Sequence, residues 1–322
     1  MKTKRALYII PLIALLSSCV TNNSSSSSSD EQGTPDISST IVSEDSSSIS
    51  ETTSIDEDSS TSENTSTSEE PSSSSSETSS SSSSSSSETP EPLTGYYDGI
   101  SETATGTTLL GQLQSLNSAK RIRTIGYKNF GSYYKKTDGD LSKSGNLICF
   151  YSGTSESFSG SFSGSINREH VWPNSRGGGG IDGDIHMPRP TLTKENGSRG
   201  NSFYVEGKKS SSGGWDPAME SFGLEKYRGI SARIIFYCVV ASSSLSLVDL
   251  ENDSTANKTM GKLSDLLKWN LEYGIDPTET QRNDAIAGSD IQGNRNPFID
   301  HPEFACKIWG NYNTATKAVC GI

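Results

Sequence analysis

The sequence predicts an α+β domain joined to a long segment that cannot fold. Short apolar runs bounded by Gly, Asn and Ser occupy the middle of the chain, and amphipathic or apolar stretches of helical length follow them, so strands give way to helices. Residues 20–94 are dominated by Ser, Thr and acids, with an unbroken serine run from Ser79 to Ser87. They carry too little apolar surface to offset the entropy of ordering. The other 228 residues, 95–322, suffice for one sizeable domain.

The elements follow in order. Leu109, Leu110, Leu113 and Leu116 recur at helical spacing within Gly106–Leu116. Leu147–Tyr151 reads as a buried strand between Gly145-Asn146 and Ser152-Gly153. The Gly/Ser-rich stretch 152–165 reads as a loop or irregular hairpin. Pro173, the glycines at 177–180, Pro188 and Pro190 forbid a long helix beyond it. Ile230–Val240, punctuated by Arg228 and Arg233, is too short to span a bilayer and predicts a central core helix. Gly261–Tyr273 predicts a second helix. Pro277 suits the first turn of a third, running towards Ala287. Residues 292–299 are turn-rich, and Pro302 opens a final short helix. No internal repeat is present.

The first nineteen residues predict an export signal. Lys2, Lys4 and Arg5 precede the apolar run Ala6–Leu16. Leu16-Ser17-Ser18-Cys19 resembles a bacterial lipobox, which implies cleavage before Cys19 and a lipid on it. Residues 20–94 would then be a flexible tether with a root-mean-square span on the order of 50 Å, holding the domain outside the membrane.

The net charge of −12 belongs to that tether. Residues 1–19 carry three bases, residues 20–94 carry fifteen acids and no base, and residues 95–322 carry 24 of each sign. The domain is therefore neutral, without the strongly basic footprint of many nucleic-acid binders. Local clustering is the remaining signal: Arg168, Arg176, Arg189, Lys194, Arg199, Lys208 and Lys209 flank one window. Cys149, Cys238, Cys306 and Cys320 permit up to two disulfides in three pairings. Cys149 and Cys238 lie in apolar runs that suit buried thiols equally well. No Cys-x-x-Cys spacing suggests structural zinc, and the glycines at 177–180 lack the Lys-Ser/Thr ending of a phosphate-cradling loop.

That window is the chemical centre of the chain. Of three histidines, His170 and His186 lie sixteen positions apart, with Glu169, Asp182, Asp184, Asn196 and Arg199 nearby. Imidazole accepts a proton near neutral pH. A carboxylate and an amide oxygen suffice, with waters, for Mg²⁺ or another hard divalent cation. A guanidinium matches phosphate oxygens. The residues thus predict metal-assisted phosphodiester hydrolysis: His170 as general base, Glu169 and Asn196 as metal ligands, Arg199 on the phosphate. Each has a plainer alternative: a satisfied core histidine, an Asn-Gly turn, a surface charge. Asp184 and His186 would share one face of an extended segment and support the site or bind metal directly. His301, between Asp300 and Pro302, reads as structural.

Several blocks, in order, resemble the bacterial endonuclease I family. They are Arg168-Glu169-His170-Val171-Trp172-Pro173, Asp184-Ile185-His186, Asn196-Gly197-Ser198-Arg199-Gly200-Asn201, Tyr227-Arg228-Gly229, Ala232 to Tyr237, Lys262 to Asn270, Gln281-Arg282-Asn283, and Gln292 to Glu303. The resemblance implies a ββα-metal (His-Me finger) core in a mostly helical domain. It also implies cleavage of DNA, or RNA, with low sequence selectivity, leaving 5′-phosphates. It matches His170 to the general base, Glu169 and Asn196 to the metal ligands, and Arg199 to a phosphate contact. Met187 and Ile230 depart from the family pattern where polar and acidic residues are usual, which bears on activity. A monomer is expected. The competing reading is a non-catalytic surface lipoprotein that binds nucleic acid or another polymer.

Overall fold

The computed structural model describes residues 93–162, 164–252 and 258–322, all within one compact unit, residues 82–322. The export signal, the lipid on Cys19 and residues 20–92 of the tether lie outside the described residues. Helices α1 (Gly106–Lys120) and α2 (Phe130–Thr137) precede two strand pairs. In the first, β1 (Asn146–Ile148) runs antiparallel to β2 (Ser155–Ser157). In the second, β3 (Ile166–His170) runs antiparallel to β4 (Pro188–Leu192), which passes directly into α3 (Thr193–Arg199). The remainder is helical: α4 (Lys226–Ala241), α5 (Leu263–Glu272), α6 (Pro277–Ala287), α7 (Pro297–Asp300), α8 (Phe304–Trp309) and α9 (Thr314–Cys320). The domain is α+β, with β3-β4-α3 as its ββα unit.

The core forms around α4. From Ile230 to Val240 every residue of that helix is buried, so it is apolar nearly all round, as a helix enclosed by others must be. Each fully buried large apolar side chain contributes about 1.5–3 kcal/mol. Helices α1, α5 and α7 pack on it, and Trp309 of α8 stacks on Phe236. Arg233, which reads in sequence as a polar break, is wholly buried and pairs with Glu279 of α6 through two bonds of 2.7 and 2.6 Å. A second apolar cluster (Phe130, Tyr134, Leu147, Ile166, Ile286) fills the space between α2, β1, β3 and α6. Among the described residues, no helix is long and apolar enough to cross a membrane.

Sequence and structure differ at several places. The strand expected at Leu147–Tyr151 is cut short at Ile148, because Phe150 leaves the hairpin to donate its N–H to Pro190 O at 2.8 Å. The glycines at 177–180, which read as a flexible connection, form two successive 3-10 turns at Asn174–Arg176 and Gly178–Ile181. A Cβ on Gly178 would sit 2.0 Å from Trp172 O, so only glycine fits there. Helix α3 contains the Asn196-Gly197 pair that by itself favours a turn. Pro302 precedes not the last helix but α8. The last is α9, capped by Asn313 and joined to α8 by a Cys306–Cys320 disulfide, while Cys149 and Cys238 are buried free thiols.

Candidate active site

The ββα unit brings the window together. Strands β3 and β4 pair over five residues, with Glu169 opposite Arg189 and His170 opposite Pro188. Prolines at 188 and 190 are tolerated because β4 pairs with β3 alone in its sheet. The chain turns from β4 straight into α3, which lies against β3. Gly200 ends α3 at φ +60°, a left-handed conformation that glycine adopts freely. Between β3 and α3 opens a cleft of about 350 Å³ lined by Tyr127, Asn167, Arg168, Glu169, His170, Asn174, Ser175, Asn196, Arg199 and Asn201, among others. The four residues expected to carry the chemistry all border it.

Glu169 is fully buried at the cleft floor. Its Oε1 accepts from Tyr151 Oη at 2.8 Å and lies 3.3 Å from Arg199 Nη1, whereas Oε2 is buried with no hydrogen-bond partner. Burial pushes its carboxyl above the usual range, against the lowering pull of Arg199 and the Tyr151 hydroxyl. For Arg199 the balance runs the other way, because attraction to Glu169 overcomes burial and keeps the guanidinium charged. A carboxylate oxygen without a hydrogen-bond partner is one that a hard cation can take. Asn196, half-buried on α3, donates its Nδ2 to Arg168 O at 3.4 Å. One carboxylate and one amide oxygen, with waters, fit Mg²⁺ or a similar ion.

His170 ends β3. Its ring lies against Tyr127, centroids 4.6 Å apart, and Nε2 is buried without a partner. Burial lowers its pKa, opposed by the charge of Asp182, so the imidazole is neutral and able to take a proton at neutral pH.

Arg199 departs from its expected place. It is buried to 1% exposure, with Nη1 donating to His170 O (3.0 Å) and Gly200 O (3.1 Å) and Nη2 to Val171 O (2.8 Å). Its fork braces the end of β3 and is not open to a phosphate. Arg168 is the half-buried cation of the cleft, laid over the Tyr127 ring at 3.8 Å, with Nη1 on Tyr127 O.

Residues 105–303 match the Endonuclease I family. The chain belongs to the endonuclease I family. It is 35% identical over 241 residues to an extracellular ribonuclease of Bacillus amyloliquefaciens, covering 69% of this chain and 80% of that protein. It is 35% identical over 234 residues to an extracellular ribonuclease of Bacillus subtilis (strain 168), covering 66% and 78%. Membership makes it a nuclease, an enzyme that hydrolyses phosphodiester bonds.

Other features of this endonuclease I-family chain lie away from the cleft. Asp184 and His186, expected to orient groups at the site or bind metal, do not line it. Asp184 accepts from Tyr237 Oη (2.6 Å) and Gln292 Nε2 (2.7 Å), and His186 Nε2 faces Asn294 O at 3.1 Å. None of these partners borders the cleft, so both residues serve the core. Met187 and Ile230 are buried in the main apolar cluster, so the departures from family pattern fall on packing and not on the site. Three of the seven residues of the basic cluster are internal as well: Arg176, Arg189 and Arg199 are buried, and Arg189 pairs with Asp138 at 3.0 Å. His301 is structural as expected, bonded to Glu303 at 3.1 Å and stacked on Phe304. Sequence reasoning missed Tyr127, Tyr151 and Tyr204. The one available signal was a tyrosine at the end of an apolar run, since a buried hydroxyl needs a partner.

Proposed function

We propose that this nuclease is a divalent-cation-dependent endonuclease acting outside the cell on nucleic acid, RNA as well as DNA, with little sequence selectivity. One observation carries the reading: His170, Glu169 and Asn196, from a strand and a helix, border one cleft, and the buried oxygen Glu169 Oε2 has no partner there. His170, neutral by burial, accepts a proton from the water that attacks phosphorus, the P–O3′ ester bond breaks, and the departing 3′ oxygen takes a proton from solvent water. Glu169 and Asn196 would hold Mg²⁺ or a similar ion, which when bound supplies positive charge to offset that of the phosphoryl oxygens. Arg199 holds the carbonyls of His170 and Val171 and so fixes the base and the carboxylate relative to each other. Arg168 presents the remaining cation of the cleft to the phosphate. The other cleft groups named are amides and a hydroxyl from Asn167, Asn174, Ser175 and Asn201. These suit the sugar–phosphate backbone, which carries no base identity. The names of the two Bacillus relatives support RNA as a substrate and the extracellular place. We further read residues 1–19 as an export signal, Cys19 as the lipid-bearing residue and residues 20–94 as the tether of a nuclease domain spanning 95–322.

Incubation with plasmid DNA and with transfer RNA, in MgCl₂ and in EDTA, tests this. Cleavage of both in MgCl₂, abolished by EDTA and restored by added Mg²⁺, is expected. Binding without cleavage, or cleavage indifferent to EDTA, overturns it. Cleavage of DNA alone removes RNA from the substrates.

A further inference from the structure

Tyr151 stands at an unusual place in the backbone. Its φ of +76° puts an aromatic residue in the left-handed region, shared among the described non-glycine residues only with Lys258. That conformation is disfavoured for any residue with a Cβ and persists where the surroundings fix it, often at functional sites. The side chain is wholly buried and ends on the site carboxylate, Oη donating to Glu169 Oε1 at 2.8 Å. A tyrosine hydroxyl has one proton, and here the carboxylate takes it. The 2.5 Å contact between Tyr151 Oη and Tyr204 Oη is therefore a donation from Tyr204. Tyr204, also wholly buried, lies under the Arg199 guanidinium at 5.1 Å. Arg199 Nη1 approaches the same oxygen, Oε1, at 3.3 Å. Oε1 of Glu169 thus carries the hydrogen bond and the ion pair, and Oε2 carries no hydrogen bond.

We propose that Tyr151, backed by Tyr204, is a positioning residue for the cation: by engaging Oε1 of Glu169 it leaves Oε2 as the atom that binds the ion. This rests on the reading of Glu169 as a metal ligand. Packing alone does not require the hydroxyl. Tyr151 meets the rings of Phe150, Trp215 and Tyr227 at 4.5, 5.5 and 6.3 Å, contacts that phenylalanine would keep.

Mn²⁺ binding to the full chain, measured by calorimetry and by electron paramagnetic resonance without substrate, tests it. Tyr151→Phe should weaken Mn²⁺ binding about 10- to 100-fold, as loss of a group that orients a metal ligand does. The Mn²⁺ concentration that gives half-maximal cleavage should rise by a similar factor. Tyr204→Phe should weaken binding in the same direction by less. Wild-type Mn²⁺ affinity in folded Tyr151→Phe, with binding lost in Glu169→Ala, overturns the positioning role and leaves the ligand assignment standing. Wild-type affinity in Glu169→Ala removes the ligand assignment itself. Should Tyr151→Phe fail to fold, unchanged affinity in Tyr204→Phe overturns the proposal.

Discussion

Two places in this domain have the same composition and opposite character. Each joins a histidine, a carboxylate, a tyrosine and an arginine in a buried or half-buried setting. Around Asp184 and His186 the groups are satisfied: both Asp184 oxygens are bonded, to Tyr237, Gln292, Arg121 and the His186 N–H, and His186 bonds Asn294. Around Glu169 and His170 they are not. Glu169 Oε2, His170 Nε2, Arg168 Nε and Arg199 Nε are buried without partners, four of the eleven such side-chain atoms among the described residues. An unpaired buried polar atom is costly, so a cluster of them in one cleft marks where the fold has traded stability for chemistry. Residue type does not separate the two sites, whereas hydrogen-bond satisfaction does.

The largest expected break in this comparison comes from the bases. His170→Ala should lower kcat by about 10³-fold, within the range for loss of a general base, with little change in Tm. Wild-type turnover in that variant would refute the assigned base. Asp184→Ala should do the reverse. It strands Tyr237, Gln292 and Arg121 and should lower stability by about 3 kcal/mol in urea unfolding, and turnover of the molecules that stay folded should be unchanged.

Acid unfolding sharpens the contrast further. Burial holds His186 at a pKa of about 4, below the 6.5 of a free histidine. The unfolded chain therefore binds a proton that the folded chain refuses, so stability falls as pH drops from 6.5 towards 4, by up to about 3 kcal/mol. Urea midpoints at pH 7 and pH 4.5 should diverge in the wild type and converge in His186→Gln. Equal divergence in both would assign the loss elsewhere. The smallest effect is expected from Tyr237→Phe, which removes one of four contacts to Asp184. It should lower stability by about 1 kcal/mol with Mn²⁺ affinity untouched, the mirror image of Tyr151→Phe.

Most helices were legible because their signals are local. Pro277 marks the start of α6 as a proline that needs no hydrogen bond there, and the structure adds a capping box from Asp276. The apolar run of α4 and the leucine spacing of α1 predict burial directly. Helix α3 was not legible from its own residues, since Asn196-Gly197 favours a turn. It forms where β4 delivers the chain against β3. The Cys306–Cys320 bridge was illegible for the same kind of reason, because pairing is a matter of distance in space.

The order of residues indicated the reaction type, since an imidazole next to a carboxylate with an amide downstream suits phosphodiester hydrolysis, and the blocks around them resemble those of the endonuclease I family. It also determined the apolar periodicities that build α1, α4, α5 and α6. Only the tertiary structure decided which groups line the cleft. Pairing of β3 with β4 carries Asn196 to Glu169 and sends Asp184 and His186 into the core. The same packing draws Arg199 inward as a brace and brings Tyr151 beneath the carboxylate. Side-chain identity sets what a group can do, and burial and hydrogen bonding, which depend on neighbours distant in sequence, set whether it is free to do it.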